Sequence, residues 1–254
     1  MHELWRGLLD VFLPPVCLAC DKLIAPGDAA RLICRRCRTL LRAPPSPLCQ
    51  RCGAPRLRTG RAETERCGEC EDWPASLLHA RSAFLLHPPA DRVVHQLKYR
   101  GWRGLAPIMA GAMSRVLLPD IMHSCDVVVA VPTTRSRVRE RGYNQAGLIA
   151  GSFAEQSRKS CANWLERTPA SSSQTTLQPA KRAANVAGAF RISAEARNSI
   201  PGARILLIDD VLTTGATVAE CTETLAAAGA ACVCVLTYAR ALDTNRLLGS
   251  LLDK

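Results

Sequence analysis

The sequence predicts an α/β protein with a mainly parallel sheet, covered by helices on both faces and preceded by a small cysteine-rich module. Three observations predict this organisation. Four Cys-x-x-Cys pairs lie within the first 70 residues, apolar strands alternate with helices from about residue 80, and 254 residues suffice for one sizeable core plus an appendage. We therefore expect an amino-terminal domain over residues 1–75 and an α/β domain over residues 76–254.

The cysteine pairs have the spacing of zinc ligands. Each Cys-x-x-Cys knuckle presents two thiolates from one tight turn, and the intervening stretches of 13, 11 and 14 residues suit short hairpins. Two structural four-cysteine sites, a double zinc ribbon, follow from this pattern, and each lacks an open coordination position. Sequential pairing is favoured because each half is then self-contained, while a cross-braced pairing stays open. The sequential sites are Cys17, Cys20, Cys34 and Cys37, and then Cys49, Cys52, Cys67 and Cys70.

Metal binding would supply much of the folding energy of this short, loop-rich module. We therefore expect chelation to unfold the first 70 residues and to leave ligand binding by the α/β domain partly intact. The other cysteines are expected to be buried core residues: Cys125, Cys161, Cys221, Cys232 and Cys234.

The net charge of the chain is +11, and 28 of its 33 basic residues are arginine. The positive charge is strongest in the middle of the chain, around residues 135–141. Such a field suits nucleic acid or a small ligand with a pyrophosphate group. Aromatic residues make up only 4% of the chain, which disfavours a site built from rows of stacking side chains.

The sequence contains neither a membrane-spanning run nor a secretory signal. Residues 4–13 are amphipathic and predict a short helix that packs on the body of the protein. Regular cysteine pairs without a secretory signal indicate a reducing compartment, so we expect a cytoplasmic protein.

The α/β region has a strand-helix alternation that is typical of a parallel sheet. Residues 168–189 are rich in Ser, Thr, Gln, Ala and Pro and predict a long loop. Predicted strands cover residues 80–86, 127–131, 161–166, 204–208 and 232–238, and predicted helices cover 90–98, 103–118, 144–158 and 217–228. In such sheets ligands bind beyond the carboxyl ends of the strands, so the segments that follow Val131 and Ile208 form the predicted site.

The segment after Ile208 has the composition of a ribose and phosphate site. Asp209 and Asp210 follow four aliphatic residues and should emerge at the end of the strand. Their carboxylates can accept hydrogen bonds from vicinal hydroxyl groups and orient water around a Mg²⁺ ion that phosphate oxygens hold. The small residues 213–217 run into a helix, so backbone N–H groups can close around a phosphate.

Residues 205–217 read Ile-Leu-Leu-Ile-Asp-Asp-Val-Leu-Thr-Thr-Gly-Ala-Thr, which resembles the signature of type I phosphoribosyltransferases for 5-phosphoribosyl-1-pyrophosphate (PRPP). The resemblance implies that Asp209 and Asp210 are the catalytic residues and contact the ribose hydroxyl groups. The PRPP-binding residues that it implies are Val211, Thr213, Thr214, Gly215, Ala216 and Thr217.

The segment after Val131 is the other half of the predicted site. In type I phosphoribosyltransferases the corresponding loop holds the pyrophosphate, and the arginine series that includes Arg137 would supply cationic, partly bidentate donors. Without its place after a buried strand, the same series would indicate a solvated face or a nucleic-acid patch. The pyrophosphate residues implied are Thr133, Thr134, Arg135, Arg139, Arg141, Asn144 and Gln145.

Nearly the whole chain is similar to the ComF family, also called the GntX group, which joins a double zinc ribbon to a phosphoribosyltransferase domain. Matching segments include residues 97–101, 139–146 and 188–190, together with Gln174, Leu177, Arg182 and Asn185. Lys98 and Asn185 are candidate ligand contacts, and for each a structural hydrogen bond is an equal alternative.

The resemblance implies transfer of phosphoribosyl from PRPP to a nitrogen acceptor with release of Mg-pyrophosphate. Thr213 stands where enzymes that act on 6-oxopurines carry an aspartate base, which argues against hypoxanthine or guanine as the acceptor. The alternative is a non-catalytic DNA-uptake factor that binds single-stranded DNA, works with competence machinery proteins and uses PRPP as a regulatory ligand. The sequence leaves open whether the chain forms a homodimer.

Overall fold

The computed structural model describes residues 15–25, 32–56, 67–168 and 188–242. Within these ranges the strands are β1 (Leu77–Leu85), β2 (Val127–Ala130), β3 (Ser160–Ala162), β4 (Leu165–Arg167), β5 (Phe190–Ile192), β6 (Arg204–Leu212) and β7 (Cys232–Arg240). The helices are α1 (Arg35–Leu40), α2 (Ala90–Tyr99), α3 (Leu105–Ser114), α4 (Pro119–Ser124), α5 (Arg135–Arg141), α6 (Gln145–Ser157) and α7 (Ala216–Ala227).

Five strands form one central sheet in the order β1-β7-β6-β2-β3, and every pair in it is parallel. The predicted mainly parallel sheet is therefore confirmed. Its inner strands are apolar and β-branched: β2 consists of buried valines and an alanine, and residues 205–208 of β6 are also buried. A parallel strand needs such a sequence because both of its faces are covered.

Helices cover the sheet on both faces. Helices α3 and α6 pack against each other and against the same face, whereas α7 packs on the opposite face together with β5. The strand order explains why these helices lie on opposite faces. The β2-α6-β3 unit steps toward the β3 edge of the sheet, whereas the β6-α7-β7 unit steps toward the β1 edge. Because both crossovers are right-handed, their helices lie on opposite faces of the sheet. The strand order therefore switches between β2 and β6, which is where parallel sheets form their binding crevice.

Strand β6 is longer than the sequence suggested. The predicted end at Ile208 is wrong, because the strand continues to Leu212 and pairs with β7 through Arg240. Asp209 and Asp210 consequently lie inside the strand instead of in a loop. Side chains alternate along a strand, so the two carboxyl groups are directed to opposite faces of the sheet.

Three other predictions need correction. Residues 161–166 do not form one strand: β3 ends at Ala162 and belongs to the central sheet, while β4 pairs antiparallel with β5. The predicted helix over 103–118 is shorter, since it covers only Leu105–Ser114. Cys161 was expected in the core but is exposed, and Cys232 is only partly buried. A short edge strand leaves an outward side chain in solvent, which the apolar sequence pattern does not reveal.

The cysteine-rich module is packed directly against the sheet. Ala80 of β1 donates a backbone hydrogen bond of 2.7 Å to the carbonyl group of Arg51, and Leu85 donates one of 2.7 Å to Arg42. Gly53 has a φ of +68°, and a Cβ atom there would lie 2.7 Å from the Ala80 carbonyl oxygen. The close approach of the two backbones therefore requires glycine at this position.

Candidate functional site

Asp210 lies on the α2 side of the sheet, where Lys98 meets it. The side chain of Asp210 is 4% exposed, and its Oδ2 atom lies 2.7 Å from Nζ of Lys98. Lys98 stands in the last turn of α2, which aims its amine at the end of β6. Lys98 therefore forms an ion pair inside the predicted site, and its role as a ligand contact stays a prediction.

Asp209 lies on the opposite side of β6 and is partly buried. Its Oδ1 accepts a hydrogen bond of 2.8 Å from the backbone N–H of Asp210. Burial and, second, the negative charge of Asp210 raise the pKa of the Asp209 carboxyl group well above its ordinary value, although that hydrogen bond and the charge of Lys98 oppose the rise. The carboxyl group therefore gains a proton more readily than an exposed aspartate.

The predicted phosphate loop, called the phosphate loop below, comprises residues 213–215 between β6 and α7. Thr213 and Thr214 are exposed, and Thr214 Oγ1 accepts a weak hydrogen bond of 3.4 Å from the N–H of Ala216. Gly215 has a φ of +84°, which glycine adopts without strain. Ala216 begins the twelve-residue helix α7, so the free N–H groups of its first turn face the end of the sheet.

The arginine-rich segment after β2 is a helix and not the loop predicted from sequence. Helix α5 covers Arg135–Arg141; Thr134 caps it by accepting a hydrogen bond of 3.3 Å from the N–H of Arg137, and Gly142 ends it with a φ of +79°. The helix has no buried residue. Arg135, Arg137 and Arg139 therefore project from a short helix into solvent beside the crevice.

The residues after α5 anchor this helix to the sheet. Asn144 donates a hydrogen bond of 3.0 Å to the carbonyl group of Val131, and the hydroxyl group of Tyr143 donates one to Leu97. Arg141 donates to Oε1 of Gln145 at 3.2 Å. Within the described ranges, Asn144 Oδ1 and Arg141 Nε are buried without a hydrogen-bond partner. Buried polar atoms of this kind are commonly satisfied by an ordered water molecule.

Arg167, at the end of β4, was not among the predicted site residues. Burial and, second, the positive charge of Arg137 lower the pKa of its guanidinium group, while the charges of Cys221 and Asp209 oppose this effect. Its guanidinium carbon lies 5.2 Å from the centre of the Phe190 ring. Arg167 therefore interacts electrostatically with one arginine of α5 and with Asp209 of β6. The sequence offered no signal for it, because β4 is short and leaves the central sheet.

The eight ribbon cysteines form two clusters. In each cluster the four Sγ atoms lie within 4.8 Å of one another, and the clusters are those of sequential pairing: Cys17, Cys20, Cys34 and Cys37, and Cys49, Cys52, Cys67 and Cys70. Tetrahedral zinc with thiolates at about 2.3 Å requires ligand separations of about 3.8 Å. Observed Sγ–Sγ distances include 3.9 Å for Cys20–Cys34, 3.9 Å for Cys49–Cys70 and 3.7 Å for Cys67–Cys70. The donor sets fit zinc.

Comparison with known proteins agrees with this architecture. Residues 8–71 match the double zinc ribbon domain family, and residues 108–246 match the phosphoribosyl transferase domain family. DNA utilization protein YhgH of Escherichia coli K12 is 30% identical over 242 residues, which cover 91% of this chain and 99% of the relative. The chain belongs to the ComF family. Two further relatives carry the name of competence proteins.

Of these, ComFC of Bacillus subtilis is 25% identical over 220 residues, which cover 80% of this chain and 85% of the relative. Competence protein F of Haemophilus influenzae is 27% identical over 225 residues, covering 82% of this chain and 90% of the relative. Both parts of the predicted organisation, the double zinc ribbon and the phosphoribosyltransferase domain, are therefore confirmed for this ComF family chain.

Some sequence-based expectations for this ComF family chain fall outside the described residues. They include the helix over 4–13, most of the loop over 168–189, and the candidate ligand contact Asn185. At the ends of that loop, Thr168 and Ala189 share a backbone hydrogen bond of 2.9 Å. In the parts of the chain that the structure describes, every helix is too short or too polar to cross a membrane.

Proposed function

We propose that the crevice at the ends of β2 and β6 binds PRPP and that the protein transfers its phosphoribosyl group to a nitrogen acceptor. The observation that carries this proposal is the convergence of acidic, cationic and phosphate-binding groups at the switch in strand order. Asp209, Asp210 and the loop over 213–215 lie at the carboxyl end of β6, and helix α5 follows the carboxyl end of the adjacent parallel strand β2. Each segment suits a different part of PRPP.

The ribose lies against β6 and its phosphate against the loop. Asp209 accepts hydrogen bonds from ribose hydroxyl groups once it is ionised, while Lys98 holds the Asp210 side chain on the other face of the strand. The 5-phosphate binds to the N–H groups at the start of α7 and to the hydroxyl groups of Thr213 and Thr214. A preformed set of donors favours the anion because few side chains must be reordered on binding.

The pyrophosphate lies on the opposite side, near α5 and Arg167. Arg135, Arg137 and Arg139 are exposed on the helix and are its donors to the pyrophosphate. PRPP brings Mg²⁺ with its phosphate oxygens as part of the substrate. In the transfer, the acceptor nitrogen forms a bond to the anomeric carbon while the bond to the pyrophosphate oxygen breaks. Cations beside the leaving group stabilise its increasing charge.

This proposal is tested with zinc-loaded protein, PRPP and Mg²⁺ across a panel of bases and amines. We expect release of pyrophosphate with one acceptor class and its loss in Asp209→Asn. PRPP binding is measured in parallel by calorimetry. If the protein binds PRPP but releases no pyrophosphate with any acceptor, the transferase proposal is refuted and PRPP is a regulatory ligand. Absence of PRPP binding to the wild-type protein would refute the assignment of the crevice.

The second candidate function is single-stranded DNA binding, with the competence machinery as the setting. The specific observation is an exposed aromatic and basic patch beside the crevice. Tyr99 and Trp102 are 58% and 45% exposed, and Arg100 and Arg103 lie next to them in sequence. The guanidinium carbon of Arg141 lies 4.7 Å from the centre of the Tyr99 ring. Bases stack on such rings while arginines bind the backbone.

The DNA function is tested with an oligothymidylate at several salt concentrations. Trp102→Ala should weaken binding by about fivefold or more, because one base–aromatic stack is worth about 1–3 kcal/mol. The control is Leu118→Ala, which removes another exposed apolar side chain, 42% exposed, from a different part of the surface. If Trp102→Ala and Leu118→Ala bind the oligothymidylate equally well, the patch around Trp102 is not the DNA-binding site. Binding that persists in Asp209→Asn would separate the DNA function from the PRPP function.

A further inference from the structure

Trp73 of the zinc ribbon lies directly against the phosphate loop. A Cβ atom built on Gly215 would lie 2.4 Å from Cζ2 of Trp73 and 2.7 Å from its Nε1, so the indole ring occupies the space beside the glycine. Trp73 is 7% exposed. The backbone of the loop thus rests on a rigid, buried aromatic ring that belongs to the metal-binding module.

The second cysteine cluster, Cys49/Cys52/Cys67/Cys70, holds Trp73 in place. Trp73 follows Cys70 by three residues and donates a backbone hydrogen bond of 3.3 Å to its carbonyl group. Arg51, between the first two ligands of this cluster, donates to the carbonyl groups of Cys70 at 2.8 Å and of Trp73 at 3.0 Å. It also donates to Pro74 at 2.6 Å. One guanidinium group therefore joins both knuckles of the cluster to the turn that carries Trp73.

A second link connects the same cluster to the start of the loop. Arg240, 1% exposed at the end of β7, donates to the carbonyl group of Cys52 at 2.6 Å and pairs with Glu69 at 3.3 Å. Arg240 is the β-ladder partner of Leu212, the last residue of β6. The second cluster thus holds the phosphate loop at both ends, at Leu212 through Arg240 and at Gly215 through Trp73.

The first cluster, Cys17/Cys20/Cys34/Cys37, contacts a different part of the α/β domain. Arg92 of α2 donates to the carbonyl group of Ala19 at 3.3 Å. A Cβ atom on Gly104 would lie 3.2 Å from Cδ1 of Leu32. These contacts lie beside α2 and the start of α3, so the first cluster provides a matched internal control.

We propose that the second four-cysteine cluster is part of the phosphate site and that Trp73 is the positioning residue through which it sets the conformation of the loop over 213–215. The proposal rests on the proposed function, since it assigns phosphate binding to this loop. A metal-free second cluster releases the turn over 70–74 and with it the surface on which Gly215 rests. The amino-terminal module is then required for ligand binding, in contrast to the partial independence expected from sequence.

The test compares three variants with the wild-type protein, all loaded with zinc. Trp73→Leu keeps every cysteine but loses the ring, Cys67→Ser/Cys70→Ser breaks the second cluster, and Cys17→Ser/Cys20→Ser breaks the first. Binding of ribose 5-phosphate and of PRPP is measured by calorimetry. Trp73→Leu and the second-cluster variant should weaken both ligands by about tenfold or more. The first-cluster variant should stay within about twofold, because the contacts of this cluster are with Arg92 and Gly104 and not with the loop over 213–215.

Amide hydrogen exchange over residues 212–217 supplies a readout that is independent of ligand binding. Exchange there should be faster in Trp73→Leu and in the second-cluster variant, and unchanged in the first-cluster variant. Trp73→Phe should restore most of both properties, because a smaller ring still supports Gly215. Phe153→Leu, which trims a buried ring of α6, should lower the melting temperature without a change in the loop.

The outcomes separate the two proposals. If the wild-type protein binds neither ligand, the proposed function fails, while exchange in Trp73→Leu still decides whether the ring holds the loop. If the wild-type protein binds both ligands and Trp73→Leu binds them equally with unchanged exchange at 212–217, the positioning role of Trp73 is refuted. Equal losses in the two cluster variants would assign the effect to general unfolding of the module.

Discussion

Nζ of Lys98 and Oδ2 of Asp210 form a 2.7 Å ion pair that joins the last turn of α2 to the end of β6. The aspartate side chain is almost fully enclosed, and this lysine is its ion-pair partner. The neighbouring Asp209 lies on the other face of the strand and is bonded to the backbone instead. Asp209 and Asp210 are adjacent in one sequence motif but have different electrostatic environments. We therefore expect them to respond differently to substitution.

Removal of Lys98 leaves a buried charge without its partner. Lys98→Met should lower the free energy of unfolding by about 2–3 kcal/mol, less than the roughly 3–5 kcal/mol of fully buried pairs because the lysine is 21% exposed. The double variant Lys98→Met/Asp210→Asn should recover much of this loss. Urea unfolding of the two single variants and the double variant measures the coupling. Additive losses in the double variant would show that the pair contributes nothing.

The elevated pKa of Asp209 predicts a pH-dependent stability. A carboxyl group whose pKa is raised in the folded protein stabilises the fold fully below its unfolded value of 3.8 and loses that contribution as pH rises through the folded pKa. Asp209→Asn cannot ionise, so it should be more stable than the wild-type protein at pH 8, and the difference should vanish below pH 4. Thermal unfolding from pH 3.5 to 8 measures it. A constant difference at all pH values would contradict the assignment.

The electrostatic interaction of Arg167 with Arg137 predicts a selective effect on pyrophosphate binding. Arg167→Gln should weaken PRPP by about tenfold, the cost of one charged donor, and ribose 5-phosphate by less. Calorimetric titration of both ligands measures the ratio. Arg191→Gln on the adjacent strand β5 is the control, because Arg191 forms an exposed pair with Glu166. An equal loss for the two ligands would place Arg167 away from the pyrophosphate.

The two contacts of the Arg240 guanidinium group predict that lysine cannot replace arginine at this position without a loss of stability. Lysine cannot bond the Cys52 carbonyl group and Glu69 with two separate nitrogens, so Arg240→Lys should lower the free energy of unfolding by about 2 kcal/mol. Arg204→Lys is the matched control, since Arg204 pairs with Asp126 at the surface and solvent weakens that pair. Urea unfolding compares them. A similar small effect of both substitutions would show that Arg240 does not clamp the module.

Several parts of the site could be predicted from short-range patterns. Four Cys-x-x-Cys knuckles indicated a double ribbon, and the aliphatic run of residues 205–208 indicated a buried parallel strand followed by a phosphate loop. These signals are local, because a knuckle is one tight turn and strand burial requires apolar residues in succession. The role of Asn185 stays a prediction, as do PRPP, Mg²⁺ and the acceptor.

The sequence by itself thus determined the fold class, the two metal-binding clusters as a set of eight ligands, and the chemical character of the crevice. Only the tertiary structure decided that the clusters pair sequentially, that Lys98 meets Asp210, and that Trp73 lies beneath Gly215. The physical reason is distance along the chain. Such contacts depend on how strands and helices far apart in sequence pack together. The local sequence around one residue of a pair does not indicate which distant residue it contacts.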